Sequence, residues 1–222
     1  MSTIQRIDRL SKSTLGLYPS TTGVEAMASA LGKVSPRRRR GLLAKVSALL
    51  QREGYCRNQE ERIAGAKVLV AFLPESLELI GKYLEARTDQ WDHEFHFSLF
   101  CFLDDSQFLP IPPTTIRTIC DLVVEYLASV RQETAAAAWM AGHLLGDHWK
   151  GKEALEGLKN VALRGRYAAG RKSAVGGLEE WLAKSNKNEK AEIIRVLNQI
   201  SIDDHSPRIR SLATSMISRK SK

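Results

Sequence analysis

Apolar residues recur along most of the chain at intervals of three or four, the spacing of one helix face. One predicted helix shows this spacing in five residues: Leu42, Leu43, Val46, Leu49 and Leu50. Pro36 stands where this helix should begin, and Gly54 follows its end. No segment alternates apolar and polar residues as a half-buried strand does. The pattern predicts an all-α fold of about twelve helices joined by short turns.

The predicted helices fall into pairs of regular length. The first helices of successive pairs begin near residues 36, 75, 113, 151 and 187, at steps of 39, 38, 38 and 36 residues. A period in the high thirties is typical of solenoids built from stacked helix pairs. In such an array each pair contacts mainly its neighbours, so the order of residues in the sequence becomes an order in space.

The second helices of three pairs share a motif. The segments SVRQETAAAAWMAGHL, AAGRKSAVGGLEEWL and SPRIRSLATSMI each place an arginine three residues before a small residue. These arginines are Arg131, Arg171 and Arg210. The segments resemble the second helix of HEAT repeats, over roughly residues 36–219 and most clearly after residue 113. The resemblance implies a right-handed α-solenoid of about five to six HEAT-like helix pairs.

The same resemblance, to HEAT-like or armadillo-like repeats, implies one continuous domain. Residues 1–222 would form a single α-solenoid domain, with HEAT-like repeats over residues 35–222 and an N-terminal capping helix pair over residues 1–34. In such arrays the second helices usually line the concave face. Contacts with a ligand are therefore expected on the exposed positions of the second helices.

Charge changes sign along the chain. The formal net charge is +8 and the pI is near 9.5. Residues 1–57 carry a net charge of +8, residues 58–129 carry −7 and residues 130–222 carry +7. A uniform phosphate-binding stripe is therefore not predicted, although two basic ends could still hold phosphates. The alternation suits a protein partner with a complementary charge pattern.

Cysteine content and hydropathy indicate the compartment. Cys56, Cys101 and Cys120 are far apart and form no CxxC pair, which favours reduced thiols. No window approaches about 18 uninterrupted apolar residues, so no membrane span is predicted. A cytoplasmic location is expected, or a nuclear one if the organism is eukaryotic.

Four consecutive arginines, Arg37 to Arg40, follow Pro36 at a predicted helix start. Cations are disfavoured at this positive end of the helix dipole unless an anion is near. Successive helical residues turn by about 100°, so about two of the four could reach one phosphate. Arg37, Arg38, Arg39 and Arg40 therefore form either a partner- or anion-binding cluster or a solvated charge cluster.

Arg131 and Arg171 are further candidates for contact with a partner or an anion. The resemblance to HEAT repeats implies an alternative, since this arginine commonly bonds to a turn aspartate or a carbonyl of the adjacent repeat. Asp203 and Asp204 precede Arg210 and fit that structural role. No equally placed acid precedes Arg131 or Arg171, which leaves both available for a ligand.

Trp91 and Trp139 fall on predicted second helices and are candidate aromatic residues of the concave face. The alternative is that both belong to the core, where an indole at helical spacing is common. The sequence contains no GxSxG, HExxH or GxxxxGK[ST] motif. We therefore predict no catalytic residue and no cofactor.

Two histidine–aspartate pairs have the spacing of metal ligands. Asp89 with His93, and Asp92 with His96, are each four residues apart and would share a helix face. Two ligands do not complete a metal site, and nothing nearby in the sequence supplies a third. No metal site is predicted, and whether either pair binds a metal stays open.

Two classes of function follow from these features. The first is a non-enzymatic HEAT-like interaction module whose concave face binds a protein or peptide. The second is nucleic-acid binding, through a resemblance to HEAT-like alkylpurine DNA glycosylases, which cradle duplex DNA in a basic groove. No motif of that family aligns with this chain, so no catalytic residue is transferred. A HEAT-like lyase acting on a protein-bound pigment is a third alternative, which rests on the fold alone. The sequence makes no prediction of oligomeric state.

Overall fold

A computed structural model describes residues 21–50, 59–85, 90–106, 109–131, 136–149 and 151–220. The described residues are helical or lie in turns, with no strand among them, which confirms the predicted all-α class for these ranges. The helices are α1 Thr21–Gly32, α2 Pro36–Leu50, α3 Gln59–Ala71, α4 Leu77–Glu85, α5 Gln90–Asp105, α6 Pro113–Ser129, α7 Ala136–His143, α8 Lys152–Arg164, α9 Ala168–Lys184, α10 Lys187–Asp203 and α11 Pro207–Lys220.

The observed helix starts agree with the predicted spacing. The five predicted first helices correspond to α2, α4, α6, α8 and α10, which begin at residues 36, 77, 113, 152 and 187. The sequence places proline at the first position of α2 and α6, and a complete capping box, Asn186 with Glu189, at the start of α10. Start signals of this kind are local, which is why the sequence locates them well.

One predicted helix differs from its observed form. Apolar spacing predicts a helix that continues to Leu145, whereas the α-helical part of this segment, α7, ends at His143. The chain then continues as a π-helical turn, Leu144–His148, closed by the Trp149 N–H donating to the Leu144 carbonyl at 3.1 Å. Apolar spacing cannot distinguish a π turn from an α turn, because one turn of either type differs by only about one residue in the position of the next apolar side chain.

The chain divides into two compact units, Met1–Ile116 and Arg117–Lys222. In unit 1, α3 packs against α1, α4 and α5. In unit 2, α9 is central and packs against α7, α8, α10 and α11, while α8 also packs against α10. Within unit 2, second helices therefore contact successive second helices, and the first helices α8 and α10 contact each other.

Close backbone approach holds α7 against α9. A methyl group at Gly142 or Gly146 would overlap the backbone carbonyl of Ser173 or Gly177. A methyl group at Gly177 would lie 2.5 Å from the Gly142 carbonyl oxygen and 2.9 Å from a Leu158 methyl group. Only glycine fits at these crossing points, because any side chain would push the two helices apart. We call this contact the glycine seam.

A buried lysine lies in the core of unit 1. Lys67 is fully buried on α3, with its ammonium 5.1 Å from the centre of the Phe102 ring on α5. A methyl group at Gly23 on α1 would lie 2.7 Å from the Lys67 Nζ. Burial disfavours the charged form and lowers the pKa of Lys67 from 10.5 to about 8.

We expect Gly177→Ala and Gly176→Ala to have opposite effects on stability. Alanine at position 177 meets the Gly142 carbonyl, so the free energy of unfolding should fall by about 1–3 kcal/mol. Alanine at the adjacent position 176 points into open space and should raise it by up to about 1 kcal/mol through helix propensity. Urea unfolding followed by circular dichroism measures both. Equal effects of the two variants would contradict the glycine seam.

Lys67 should make stability depend on pH. Between about pH 8 and 10.5 the unfolded chain holds a proton that folded Lys67 has released, so this residue's contribution to stability rises with pH. The advantage of Lys67→Met over the wild type should therefore shrink by about 3 kcal/mol across that range. Lys82→Met, which removes an exposed lysine of α4, provides the control. A constant difference between Lys67→Met and wild type would refute the buried-charge account.

Candidate partner-binding surface

The glycine seam aligns polar residues of α7 and its π turn with polar residues of α9. Trp139, His143 and Asp147 follow one another at intervals of four, so they form a line along one side. His143 Nδ1 lies 2.7 Å from Glu180 Oε2, and Lys184 forms an ion pair with Asp147. We call these five residues the α7–α9 ridge.

Trp139 is the outermost member of the ridge. The residue is 57% exposed, and among the residues whose side chains are described Trp139 and Ile202 are the two large exposed apolar ones. The indole stacks on the His143 imidazole, with ring centres 5.5 Å apart and planes inclined by 8°. Because Glu180 holds His143, the indole is presented in a fixed orientation.

An open position lies opposite Trp139. His143 meets Glu180 and Asp147 meets Lys184, and both partners are 37 residues further along the chain. The same offset of 37 residues pairs Trp139 with Gly176, one helical turn before the contact of His143 with Glu180. A methyl group at Gly176 would meet no atom within 4 Å. The space that a side chain at position 176 would fill is therefore open, and we call this open position the notch.

The line of contacts continues from α9 to α11. Arg219 on α11 lies 3.0 Å from Glu179 on α9. The charges of this face are thus largely compensated within the protein: Asp147 by Lys184, and Glu179 by Arg219. The exposed Trp139 indole is therefore the group of this face with the least contact inside the protein.

Arg171, one of the sequence candidates, has an internal partner. Its guanidinium donates to Asp204 through Nε at 2.7 Å and through Nη2 at 3.2 Å, and Nη1 donates to the Gly165 carbonyl at 2.9 Å. The expectation that Arg171 is left available because no acid precedes it is wrong, since Asp204, 33 residues later in the chain, supplies a carboxylate. Both residues are buried. Arg171 is thus committed to the structure and is not available to a ligand.

Asp204 accepts hydrogen bonds from two arginines, Arg171 and Arg210. Its backbone carbonyl accepts a hydrogen bond from Arg210 Nη1 at 2.6 Å. Burial acts to raise the pKa of Asp204, but hydrogen bonds from Arg171 and the Ser206 N–H outweigh it and hold the pKa below its usual range. Stabilisation from this ionised carboxylate is therefore present at neutral pH and is lost as the pH falls through the depressed pKa.

Arg131 is placed differently from Arg171. It is exposed, and its guanidinium lies over the Tyr167 ring, 5.4 Å from the ring centre. Arg166 lies over the same ring at 5.3 Å. No described residue forms an ion pair with Arg131, which therefore keeps its candidate status.

The arginine cluster of α2 does not act as one group. Arg37, Arg38 and Arg40 are exposed, whereas Arg39 is turned towards Glu75. Arg39 Nε lies 2.7 Å from one Glu75 oxygen, and Nη2 donates to the other at 2.8 Å. A carboxylate of the same chain thus supplies an anion near this helix start, which lowers the cost of the cations there.

The remaining sequence candidates are placed as follows. The Trp91, Asp92 and His93 side chains and all of Asp89 lie outside the described residues. His96 is buried, with Nε2 2.8 Å from the Tyr83 carbonyl oxygen, so that nitrogen has an internal contact. Within the described ranges, no group of three or more His, Cys, Asp or Glu side chains could hold a metal ion.

The two described cysteines are poor nucleophiles. Burial, with the nearby charges of Asp105 and Asp104, raises the pKa of Cys101 to about 12. Burial also raises the pKa of Cys120 to about 12, together with the charges of Asp121 and Glu153. Both thiols are therefore protonated at neutral pH, and a thiol is much less reactive than a thiolate.

Trp139 is the one ridge residue among the sequence candidates. His143, Asp147, Glu180 and Lys184 are found only from the structure. A usable signal exists, because His143 and Glu180, like Asp147 and Lys184, are complementary residues separated by one helix-pair period.

Comparisons of the chain with protein-family models, with curated proteins and with solved structures find no match. None of the helices in the described ranges combines the length and the apolar character that a bilayer crossing requires.

The buried Arg171–Asp204 pair yields a stability test. Arg171→Met leaves a buried carboxylate without its main partner, and we expect the free energy of unfolding to fall by about 3–5 kcal/mol at neutral pH. Asp204→Asn should cost a similar amount for the complementary reason. The double variant should lose less than the two single losses added, which a double-mutant cycle by urea unfolding measures. Strict additivity would contradict a direct pair.

Proposed function

We propose that this protein is a non-enzymatic α-solenoid interaction module that binds a protein or peptide through the α7–α9 ridge. The observation that carries the proposal is the exposed Trp139 indole, held by stacking on His143 and by the His143–Glu180 contact. Tryptophan is strongly enriched among residues that dominate binding energy at protein interfaces. An indole that is already oriented loses little conformational entropy when a partner binds.

The solenoid part of the proposal has three supports. Second helices α7, α9 and α11 contact one another in order, and first helices α8 and α10 do the same. First helices begin at intervals in the high thirties from residue 36 to residue 187. Arg171 bonds to Asp204 in the following turn, which is the role that a HEAT-like arrangement implies for it. The ridge lies on second helices, where such an array presents its ligand-binding face.

The ridge also suggests the chemistry of the partner. Its charges are paired internally, so a strongly charged partner would gain little from them. The exposed indole and the open position at Gly176 favour an apolar side chain that stacks on the ring and enters the notch. We therefore propose a partner that inserts an aliphatic or aromatic side chain, surrounded by neutral polar groups.

Two exposed apolar residues allow a matched test. We expect Trp139→Ala to abolish capture of the partner by the immobilised full-length protein, with at least about a tenfold loss of affinity once that partner is purified. Ile202→Ala is the control, since Ile202 is 76% exposed but lies on the first helix α10. Titration calorimetry of wild type and both variants gives the affinities.

A second substitution tests the notch without removing the indole. Gly176→Phe should fill the space opposite Trp139 and weaken binding, whereas Gly176→Ala should have little effect. Equal binding by wild type, Trp139→Ala and Gly176→Phe would refute the proposed site. Loss of binding in Ile202→Ala alone would place the interface on a different face.

A further inference from the structure

Arg131, which follows the end of α6, and two loops of unit 2 contact one another in turn. The loops join α8 to α9 and α10 to α11. Arg131 contacts the first loop because its guanidinium lies over Tyr167. The first loop is joined to the second by Arg171, which donates to the Gly165 carbonyl and to Asp204. We call Arg131 and these two loops the loop edge.

Two cations of the loop edge converge on one aromatic ring. Arg131 and Arg166 lie 5.4 and 5.3 Å from the centre of Tyr167, within the range of a cation–π contact. Two positive charges therefore lie against one ring, and an anion that contacts both guanidinium groups would offset them.

Neither guanidinium has an acidic partner among the described residues. Both arginines are exposed, and their guanidinium groups form no ion pair or hydrogen bond within these ranges of the chain. This distinguishes them from Arg39, Arg171 and Arg219, each of which faces a carboxylate. No described residue occupies their planar donor sets, and such donors match the oxygens of a phosphate group.

A cleft adjoins this pair of arginines. It has a volume of about 300 Å³ and lies between residues 162–166 and residues 199–205. Gln199, Asp203 and His205 line one side, and Arg164 and Arg166 line the other. Amide, carboxylate and imidazole groups are the donors and acceptors that recognise the edge of a nucleobase. Arg166 borders both the cleft and the Tyr167 ring, so the two sites are continuous.

We propose that the loop edge binds single-stranded nucleic acid, with Arg131 and Arg166 holding a backbone phosphate and the neighbouring cleft accepting an unpaired base. A base can enter the cleft only if it is not paired in a duplex. A phosphorylated side chain of a protein would use the arginines but leave the base-type groups of the cleft unused. The site is separate from the α7–α9 ridge and does not depend on the function proposed for it.

The first test compares two charge-matched double variants of the full chain. Arg131→Gln with Arg166→Gln removes the paired arginines, whereas Lys190→Gln with Arg195→Gln removes two exposed cations from α10. Fluorescence anisotropy of a labelled single-stranded oligonucleotide of about 12 residues is measured at several salt concentrations. We expect at least tenfold weaker binding for the first double variant and less than twofold for the second. The log–log salt slope should become shallower by about 0.7, the value for one phosphate of a single strand.

Further variants separate base contacts from phosphate contacts. Gln199→Ala should weaken binding several-fold and leave the salt slope unchanged, because it removes no charge. Tyr167→Phe should retain wild-type affinity, whereas Tyr167→Leu should lose part of it by releasing both arginines. Circular dichroism melting confirms that each variant is folded. Trp139→Ala should bind the oligonucleotide normally, which keeps this test independent of the ridge.

Four outcomes would overturn the proposal. The first is that the protein does not bind single strands at low salt, and the second is that the two charge-matched double variants lose equal affinity for the oligonucleotide. The third is that the protein binds duplex as tightly as single strands. The fourth is that a phosphoserine peptide competes at concentrations similar to those of the oligonucleotide. Equal losses would mean attraction by net charge alone. Effective competition by the peptide would assign the arginines to a phosphorylated protein.

Discussion

The backbone contact between α7 and α9 is the constraint on which unit 2 and its surface depend. Gly142, Gly146 and Gly177 let the two helices approach more closely than any side chain would permit. At that separation His143 reaches Glu180, and Asp147 reaches Lys184. The fixed indole of Trp139 then follows from the fixed imidazole beneath it. The orientation of Trp139 on the surface thus depends on the absence of side chains where α7 crosses α9.

Buried cations in this protein are stabilised by different means. Arg171 is matched by Asp204, and Lys159 lies 2.6 Å from Glu156 and 2.5 Å from Glu192. Burial acts to lower the pKa of Lys159, but its hydrogen bonds to the two glutamates outweigh it and raise that pKa. The Lys67 ammonium lies over the Phe102 ring, and burial lowers its pKa. Arg171 and Lys159 therefore join helices of unit 2 firmly, and Lys67 adds a pH-dependent cost in unit 1.

The two faces proposed for binding in unit 2 differ in how their charges are balanced. On the α7–α9 ridge the ion pairs are internal, and the exposed indole is the group with least contact. On the loop edge Arg131 and Arg166 meet an aromatic ring and no carboxylate within the described residues. Apolar insertion suits the first surface and phosphate binding suits the second. Distinct ligand classes on separate faces are physically compatible, because neither surface uses a residue of the other.

The sequence by itself determined the all-α class and the positions of the first helices, because helical periodicity, prolines at helix starts and capping residues act locally. It also identified Trp139 and Arg131 as candidates. Only the tertiary structure decided that Arg171 is paired with Asp204 and that Arg39 faces Glu75. It alone also placed Glu180 under the imidazole that supports Trp139. These contacts join residues more than 30 positions apart, and their geometry depends on how closely helices approach. The distance between two packed helices cannot be read from the spacing of side chains along one of them.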